Sequence, residues 1–412
     1  MIVAHAALWT TRHRGAIKPG ITNEVATSRE PTAFARLSTM TKILYLVTED
    51  WFFVSHFLPM ARAAREAGMQ VVVAARVRGH AERLAGEGLR VIPLDVERRS
   101  LGLFEGVRNV AQVRTILRAE RPDIVHCIAL RPVVIGGLVA RFAGAKAIVL
   151  APTGLGQSWT EQGLLAHLVR AVVRFAVARS RGPRTRFLFE NRDDPVEFGL
   201  APDAPEVTIV GGAGVDPAEY PMRPEPPFPP VKVAVVSRMI AAKGIADAVE
   251  ATRRARALGA PVELHLFGVP DPSNRDSIAE ATLRQWSAEP GITWHGRTDK
   301  VAQVWQEHHV ALLLSYYREG LPRTLVEAAA AGRPIVTTDA VGIRELVRNG
   351  KEGILVPLRD VDAAARALVE LASDRALRAR LGAQAHARIE ERFTETAVKQ
   401  AVGQLYRSML AS

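Results

Sequence analysis

Two glutamates with seven residues between them stand in the segment REGLPRTLVE, which runs from Arg318 to Glu327. The segment follows the apolar run 310–314 and precedes an alanine-rich run, so it predicts a strand, a loop and the start of a helix. Backbone amides at a helix start bind anions, whereas carboxylates accept hydrogen bonds from sugar hydroxyls. A site with both chemistries would suit a nucleotide-sugar. Two solvated glutamates flanking an ordinary helix are the alternative interpretation.

Two cations occur at the end of another apolar run, in the segment SRMIAAKG from Ser237 to Gly244. Fixed cations at Arg238 and Lys243 would stabilise the charge that develops on a diphosphate as its bond to a sugar breaks. Surface cations on a loop between a strand and a helix would produce the same pattern. The spacing of the cations, upstream of the glutamate pair, favours the functional interpretation.

Together these segments resemble the E-x(7)-E and S-R-x(4)-K-G motifs of the family-four retaining glycosyltransferases, which have the two-domain GT-B fold. The resemblance implies that Glu319 contacts the donor sugar and Glu327 the ribose. It also implies that Arg238 and Lys243 neutralise the diphosphate, so Arg238, Lys243 and Glu319 are the candidate catalytic residues. The segment TEDWFFVSH, residues 48–56, resembles a subgroup associated with bacterial O-antigen and capsule clusters.

The same resemblance implies a set of donor-binding residues at strand ends and helix starts of the second half. The set is Gly268, Arg297, Gly320, Leu321, Thr324, Leu325, Glu327 and Gly342. The expected donor is a UDP-sugar, since UDP is the usual choice of the family. The cation segment has no DxD-like metal signature, so we expect neither a metal nor another cofactor.

Candidates for the acceptor side of the cleft come from the first half, where the resemblance is weaker. They are His56, His126, Arg131, Thr153 and Gly154. Ile128 replaces the second histidine of the family, so that role is not carried over, and His126 could equally be a buried structural histidine. The segments RPVVIGG and TGLG resemble segments of enzymes that act on lipid-linked sugars. It implies a polyprenyl-diphosphate-linked sugar or another glycan as acceptor.

The elements that must position these residues alternate short apolar runs with helical patterns, as in parallel sheets covered on both faces. We therefore predict an α/β protein of GT-B type, with two Rossmann-like, doubly wound domains facing across a cleft. The expected boundaries are 41–215 for the acceptor domain, 216–230 for a proline-rich linker and 231–390 for the nucleotide-sugar domain. By resemblance, a helix at 393–410 crosses back onto the first domain.

The bulk composition limits the class of protein. The 412 residues carry a formal charge of +11, which suits phosphorylated substrates, an anionic membrane or nucleic acid. We expect no nucleic-acid partner, because no helix-turn-helix, zinc-finger or aromatic ribonucleoprotein motif is present. A single cysteine, Cys127, excludes an internal disulfide, and no apolar run reaches the roughly 18 residues that cross a bilayer. We expect a cytoplasmic protein.

Part of the positive charge is concentrated in residues 162–186, which contain six arginines and no acid. The leucines and valines of this segment recur near helical spacing. Such a helix either lies on an anionic membrane surface or packs within its domain with a solvated basic face. Burial of Leu165, Val169 and Val173 would support packing. Peripheral attachment to the inner face of the plasma membrane is therefore left open.

The first 39 residues show no sustained periodicity, and we predict that 1–39 is a disordered extension or the product of a mis-assigned start codon. For the remainder, the functional hypothesis is sugar transfer with retention at the anomeric carbon, in the biosynthesis of a cell-surface polysaccharide. Two other classes remain as alternatives. One is a non-hydrolysing nucleotide-sugar epimerase, which shares the fold, and the other is a non-catalytic protein that binds sugar nucleotides.

Overall fold

The structure is a computed structural model that describes residues 40–95, 103–155, 159, 163–272, 274–316 and 318–411. The extension predicted for residues 1–39 lies outside the described residues. Apolar runs and helical patterns alternate as the sequence predicts, and the strands pair in parallel. They form two sheets, each with a hydrophobic core on either face.

The first sheet is built from runs rich in Val, Ile and Leu that are buried on both faces. Its strands are β1 Lys42–Glu49, β2 Gln70–Arg76, β3 Arg90–Pro93, β4 Ile124–Ile128, β5 Ala147–Ala151, β6 Thr185–Phe189 and β7 Val207–Ile209. Their order in space is β3-β2-β1-β4-β5-β6-β7. The accompanying helices are α1 Asp50–His56, α2 Leu58–Glu66, α3 Ala81–Gly86, α4 Leu103–Glu120, α5 Leu130–Phe142, α6 Leu164–Ser180 and α7 Asp194–Glu197.

The second sheet repeats this winding. Its strands are β8 Val231–Val236, β9 Val262–Phe267, β10 Ile292–Gly296, β11 Val310–Leu313, β12 Ile335–Thr338 and β13 Gly353–Val356. They lie in the order β10-β9-β8-β11-β12-β13. A short 3₁₀ turn, Ala241–Lys243, precedes the helices α8 Ile245–Ala257, α9 Glu280–Ser287, α10 Val301–Glu307, α11 Arg323–Ala330, α12 Ile343–Leu346, α13 Val361–Ser373 and α14 Arg375–Arg392.

The chain passes between the two halves twice, and the two passages lie side by side. Residues 216–230 contain no helix or strand, as their prolines predict. Just before them, the amide of Val215 donates to the carbonyl of Phe393, and the amide of Glu395 donates back to Val215. The last helix, α15 Glu395–Ala411, then packs against α2 of the first half.

The returning helix is fixed by a buried polar contact with the first sheet. The Tyr406 hydroxyl lies 2.8 Å from the Tyr45 hydroxyl and 2.8 Å from His126 Nδ1. All three side chains are buried, so these hydrogen bonds satisfy groups that would otherwise be costly to bury.

The predicted fold class is confirmed: two Rossmann-like domains of GT-B type, with the carboxyl-terminal helix crossing back. Within the described chain, no helix is both long and apolar enough to cross a membrane.

Candidate active site

The carboxyl ends of strands from both sheets open into one cleft of about 520 Å³. Ligands of open α/β sheets bind beyond this edge, because the loops that follow the strands meet there. From the first half, the cleft is lined by Thr48, Glu49, Trp51, Phe52, His56, Ala129, Arg131, Thr153, Gly154 and Glu190. From the second half, it is lined by Val236, Ser237, Arg238, Lys243, Glu319, Gly320, Leu321, Arg323 and Thr324.

Lys243 and Glu319, which both line this cleft, form an ion pair. Lys243 Nζ donates to Glu319 Oε2 at 2.5 Å, and the Ser315 hydroxyl donates to the other carboxylate oxygen at 2.6 Å. The lysine and glutamate side chains are only 13% and 11% exposed, so solvent screens their attraction weakly. Two predicted residues that are 76 positions apart therefore hold each other in place.

The turn that carries Lys243 depends on the glycine that follows it. Gly244 adopts the left-handed conformation, φ +68°, and a Cβ there would lie 2.0 Å from the carbonyl oxygen of Leu314. Only glycine allows so close an approach between this turn and the chain beyond β11. The close packing of this turn against Leu314 therefore explains why a glycine follows Lys243 in the sequence.

Arg238 also lines the cleft, and it is paired with a carboxylate. Its Nη1 lies 2.8 Å from Asp271 Oδ2, and 45% of the arginine side chain is exposed. The backbone of Gly268 packs directly against this loop. At its φ of +140°, a Cβ would lie 1.8 Å from the carbonyl oxygen of Ser237. The structure thus places the backbone of Gly268 against the cation loop, and a direct donor contact by Gly268 stays a prediction.

Glu327 is not among the residues that line the cleft. It is buried behind Arg323, whose Nε donates to Glu327 Oε1 at 2.7 Å. Burial raises the pKa of Glu327, although Arg323 and Tyr220 oppose the shift. Arg323 itself lines the cleft and donates to the carbonyl of Ser55 in the first half. The structure therefore brings Arg238, Lys243 and Glu319 to the cleft, whereas Arg323 lies between Glu327 and the cleft. A contact of Glu327 with the ribose of a donor stays a prediction.

Glu190 follows β6 and reaches across to the second half, a contact that sequence reasoning missed. Its Oε2 accepts a hydrogen bond from the amide of Leu321 at 3.0 Å. Gly320 makes room for it, because a Cβ there would lie 1.8 Å from the same oxygen. Burial, with Asp194 and Glu319 nearby, raises the pKa of Glu190 to about 7. A glutamate directly after the apolar residues Phe187, Leu188 and Phe189 was the available signal.

The two histidines predicted for the cleft lie in different environments. His56 lines the cleft, with its Nδ1 2.6 Å from the Ser55 hydroxyl. Burial and, to a smaller extent, the nearby positive charge of Arg323 lower the pKa of His56 to about 4. The imidazole of His56 is therefore neutral at neutral pH. His126 instead lies in the core on Tyr406, 0% exposed, with a pKa that burial lowers to about 3. The expectation that His126 reaches the cleft is not met, and the structural interpretation describes its position.

Several polar atoms at the cleft wall have no hydrogen-bond partner within the described residues. They are Glu49 Oε2, Thr153 Oγ1 and Thr324 Oγ1, all nearly inaccessible to solvent. Buried polar atoms normally have partners, so the two threonine hydroxyls are expected to bond to a ligand or to water in the cleft, whereas Glu49 Oε2 faces Arg78 Nε at 3.7 Å. Thr324 lies in the first turn of α11, where backbone amides also face outward.

The remaining predicted residues divide between the cleft and its surroundings. Arg131 and Gly154 line it with the others. Leu325 is buried in the core. Gly342, at φ +86°, packs so closely on the loop that a Cβ would lie 1.7 Å from the carbonyl oxygen of Gly320. Arg297 is an exposed side chain paired with Asp299 and is not among the lining residues. Direct donor contacts by Leu325, Gly342 and Arg297 stay predictions.

Two doubly wound domains that face each other across a cleft form the architecture of the GT-B proteins. Family models match both halves: "Glycosyl transferase 4-like" over residues 42–182 and "Glycosyl transferases group 1" over residues 230–374. The chain therefore belongs to this family of glycosyltransferases, and it is an enzyme of the hexosyltransferase type.

Curated relatives align along most of the chain. It is 23% identical over 376 residues to the N,N'-diacetylbacillosaminyl-diphospho-undecaprenol alpha-1,3-N-acetylgalactosaminyltransferase of Campylobacter jejuni, covering 86% of this chain and 95% of that one. It is 22% identical over 391 residues to the capsular polysaccharide biosynthesis glycosyltransferase CapM of Staphylococcus aureus, covering 90% and 97%.

Solved structures share the fold at low sequence identity. Alr3699/HepE of Anabaena, in complex with UDP-glucose, superposes with a TM-score of 0.70 at 18% identity, covering 89% of this chain and 99% of that one. WaaG, a glycosyltransferase involved in lipopolysaccharide biosynthesis, superposes with a TM-score of 0.67 at 14% identity, covering 88% and 99%.

Proposed function

We propose that this enzyme transfers a sugar from a UDP-sugar, with retention at the anomeric carbon, to a glycan or a polyprenyl-diphosphate-linked sugar in cell-surface polysaccharide biosynthesis. The observation that carries the proposal is the Lys243–Glu319 ion pair in the cleft, with Arg238 also on its wall. The UDP-glucose complex of the HepE structure supports UDP as the nucleotide. The diphospho-undecaprenol named for the Campylobacter relative supports a lipid-linked acceptor.

In the proposed reaction, the acceptor hydroxyl oxygen bonds to the anomeric carbon on the face from which the diphosphate departs. The carbon–oxygen bond to the diphosphate breaks, and the acceptor proton passes to the departing phosphate oxygen. Lys243 and Arg238 stabilise the charge on the diphosphate, which is larger in the transition state than in the bound donor. Glu319, fixed by Ser315 and Lys243, accepts hydrogen bonds from the sugar.

The carboxylates of the cleft support same-face attack rather than a double displacement. A nucleophilic carboxylate must be free to form a covalent bond to the sugar, beside a second carboxyl group about 5–5.5 Å away. Glu319 is engaged by Lys243 and Ser315, and Glu190 is engaged by the amide of Leu321. The third carboxylate of the cleft, Glu49, is paired with Arg76 and Arg78 at 4.0 and 3.7 Å. Their interactions suit binding and orientation.

The test has two parts. Nucleotide-sugars are screened for protection against thermal unfolding, since a ligand that binds the folded state raises the melting temperature. The protecting donor is then incubated with lipid-linked saccharide acceptors, and nucleotide release and the anomeric configuration of the product are measured. We expect release only with an acceptor and a product of retained configuration. An inverted product would overturn the mechanism.

Two outcomes would instead identify the alternative classes. Conversion of UDP-N-acetylglucosamine into its epimer without an acceptor would identify an epimerase. Donor protection with no nucleotide release in any acceptor extract would favour a non-catalytic binding protein.

The reaction is also proposed to need no divalent ion, so activity should persist in excess chelator, and a loss restored by metal would refute that part. The proposed place of the reaction is the inner face of the plasma membrane.

A further inference from the structure

Helix α6, Leu164–Ser180, exposes an apolar face to solvent. Leu164, Leu165 and Phe175 are 88%, 75% and 67% exposed, and Leu168 and Val172 are exposed as well. Single exposed apolar residues are ordinary, but a contiguous group on one helix marks an interaction surface.

The exposed side chains form one stripe because of their spacing. Leu164, Leu168, Val172 and Phe175 follow at steps of four, four and three, which places them on one side of the helix. The opposite side carries the buried Val173, Ala176 and Val177. The helix is thus packed in its domain along one side and uncovered, within the described structure, along another.

The sequence left two interpretations of this helix open, and the described side chains divide between them. Val173 is buried, as packing within the domain requires. Leu165 and Val169 are exposed, as a surface contact requires. Burial of one side therefore does not account for the apolar residues on the other.

Positive charge adjoins the apolar stripe at the carboxyl-terminal end of the helix. Arg179 continues it four residues after Phe175, and Arg181 and Arg184 follow as exposed side chains. Between Leu164 and Ser180 there is no acidic residue. Apolar side chains beside arginines match the surface of an anionic bilayer, where acyl chains lie below phosphate groups.

We propose that the face of α6 formed by Leu164, Leu165, Leu168, Val172, Phe175 and Arg179 docks on an anionic phospholipid membrane. A second copy of the chain fits this face less well. A two-fold contact between like surfaces would set arginine near arginine in a protein that already carries a net charge of +11. The proposal goes beyond glycosyl transfer and does not depend on it.

One chain of ion pairs connects this helix to the catalytic cleft. Arg174 Nη2 of α6 lies 2.7 Å from Glu197 Oε2, and the other oxygen of Glu197 lies 2.9 Å from Arg318 Nη1. Arg318 directly precedes Glu319. Because these ion pairs link α6 to the loop that carries Glu319, a membrane bound at α6 would hold the cleft at a fixed position relative to the bilayer.

The experiment is co-sedimentation of the full chain with vesicles of phosphatidylcholine alone and of phosphatidylcholine with phosphatidylglycerol. We expect binding to the anionic vesicles. The triple variant Leu164→Gln, Leu168→Gln, Phe175→Gln should lower partitioning at least about tenfold. The double variant Arg179→Gln, Arg184→Gln should weaken binding to anionic vesicles and reduce its sensitivity to salt. The matched control Leu258→Gln, Leu358→Gln removes apolar residues exposed on the second domain and should bind as the wild type.

Melting temperature and donor protection are measured on each variant, so that misfolding and loss of the donor site are separated from loss of membrane binding. Three results would overturn the proposal. They are failure of the wild type to bind anionic vesicles, unchanged binding by the triple variant, and a solution dimer that the triple variant dissociates. The last would assign the face to a second copy of the chain.

Discussion

Lys243 Nζ lies 2.5 Å from Glu319 Oε2, so the cation proposed to hold the diphosphate is already paired with the carboxylate proposed to hold the sugar. Arg238 is likewise paired with Asp271. A bound donor would share or replace these partners, and it would meet cations whose positions are set before it arrives. Such fixed charges need little reorganisation as the reaction proceeds.

Replacement of Lys243 by alanine should lower turnover by about 100-fold, the scale of losing one charge-stabilising group. The physical reason is loss of the cation that faces the departing diphosphate. The measurement is nucleotide release at saturating donor, with the melting temperature as evidence that the variant is folded. A folded variant with wild-type turnover would remove Lys243 from the mechanism.

Replacement of Glu319 by glutamine keeps the shape of the side chain and removes its charge. If Glu319 binds the sugar, affinity for the UDP-sugar should fall severalfold, while affinity for UDP should change little or rise, since Lys243 loses a competing anion. Titration calorimetry with both ligands separates the two effects. Equal losses for UDP and UDP-sugar would contradict a specific sugar contact.

Gly244→Ala should abolish activity, because its Cβ would collide with the backbone of Leu314 and displace Lys243. Gly259→Ala, at the other end of α8, is the matched control. It has a similar left-handed backbone, φ +84°, but nothing within 4 Å of the added Cβ. Backbone strain from the added Cβ should lower the free energy of unfolding of the control by about 1–2 kcal/mol, and its turnover should be unchanged. Similar activity in both variants would argue against the close approach at Gly244.

Glu190→Gln should change how stability depends on pH. Because burial raises the folded-state pKa of Glu190 from 4.5 to about 7, the folded protein binds more protons than the unfolded chain between these values. The stabilising contribution is therefore present below about pH 4.5 and is lost as pH rises through 7. Glutamine cannot ionise, so the melting temperature of the variant should rise relative to wild type from pH 5 to pH 8. A difference that stays constant over this range would show that Glu190 does not titrate there.

Much of the fold follows from local sequence. The alternation of buried apolar runs with helical patterns specifies parallel sheets, and the prolines between residues 216 and 230 specify where helix and strand stop. Lys243, Arg238 and Glu319 could be selected as candidates because each lies shortly after a strand, and the loops after parallel strands meet at one edge.

The tertiary structure decided the relationships that depend on distant parts of the chain. Glu190 meets Leu321 across 131 positions, which no spacing in the sequence announces. Glu327 is buried beside Tyr220, which precedes the second sheet, instead of lining the cleft, and His126 is enclosed by the returning helix through Tyr406. Periodicity states that α6 has an apolar side, but only packing determines which apolar residues remain exposed. Local patterns fix the elements, whereas side-chain partners depend on how two separately wound sheets face each other.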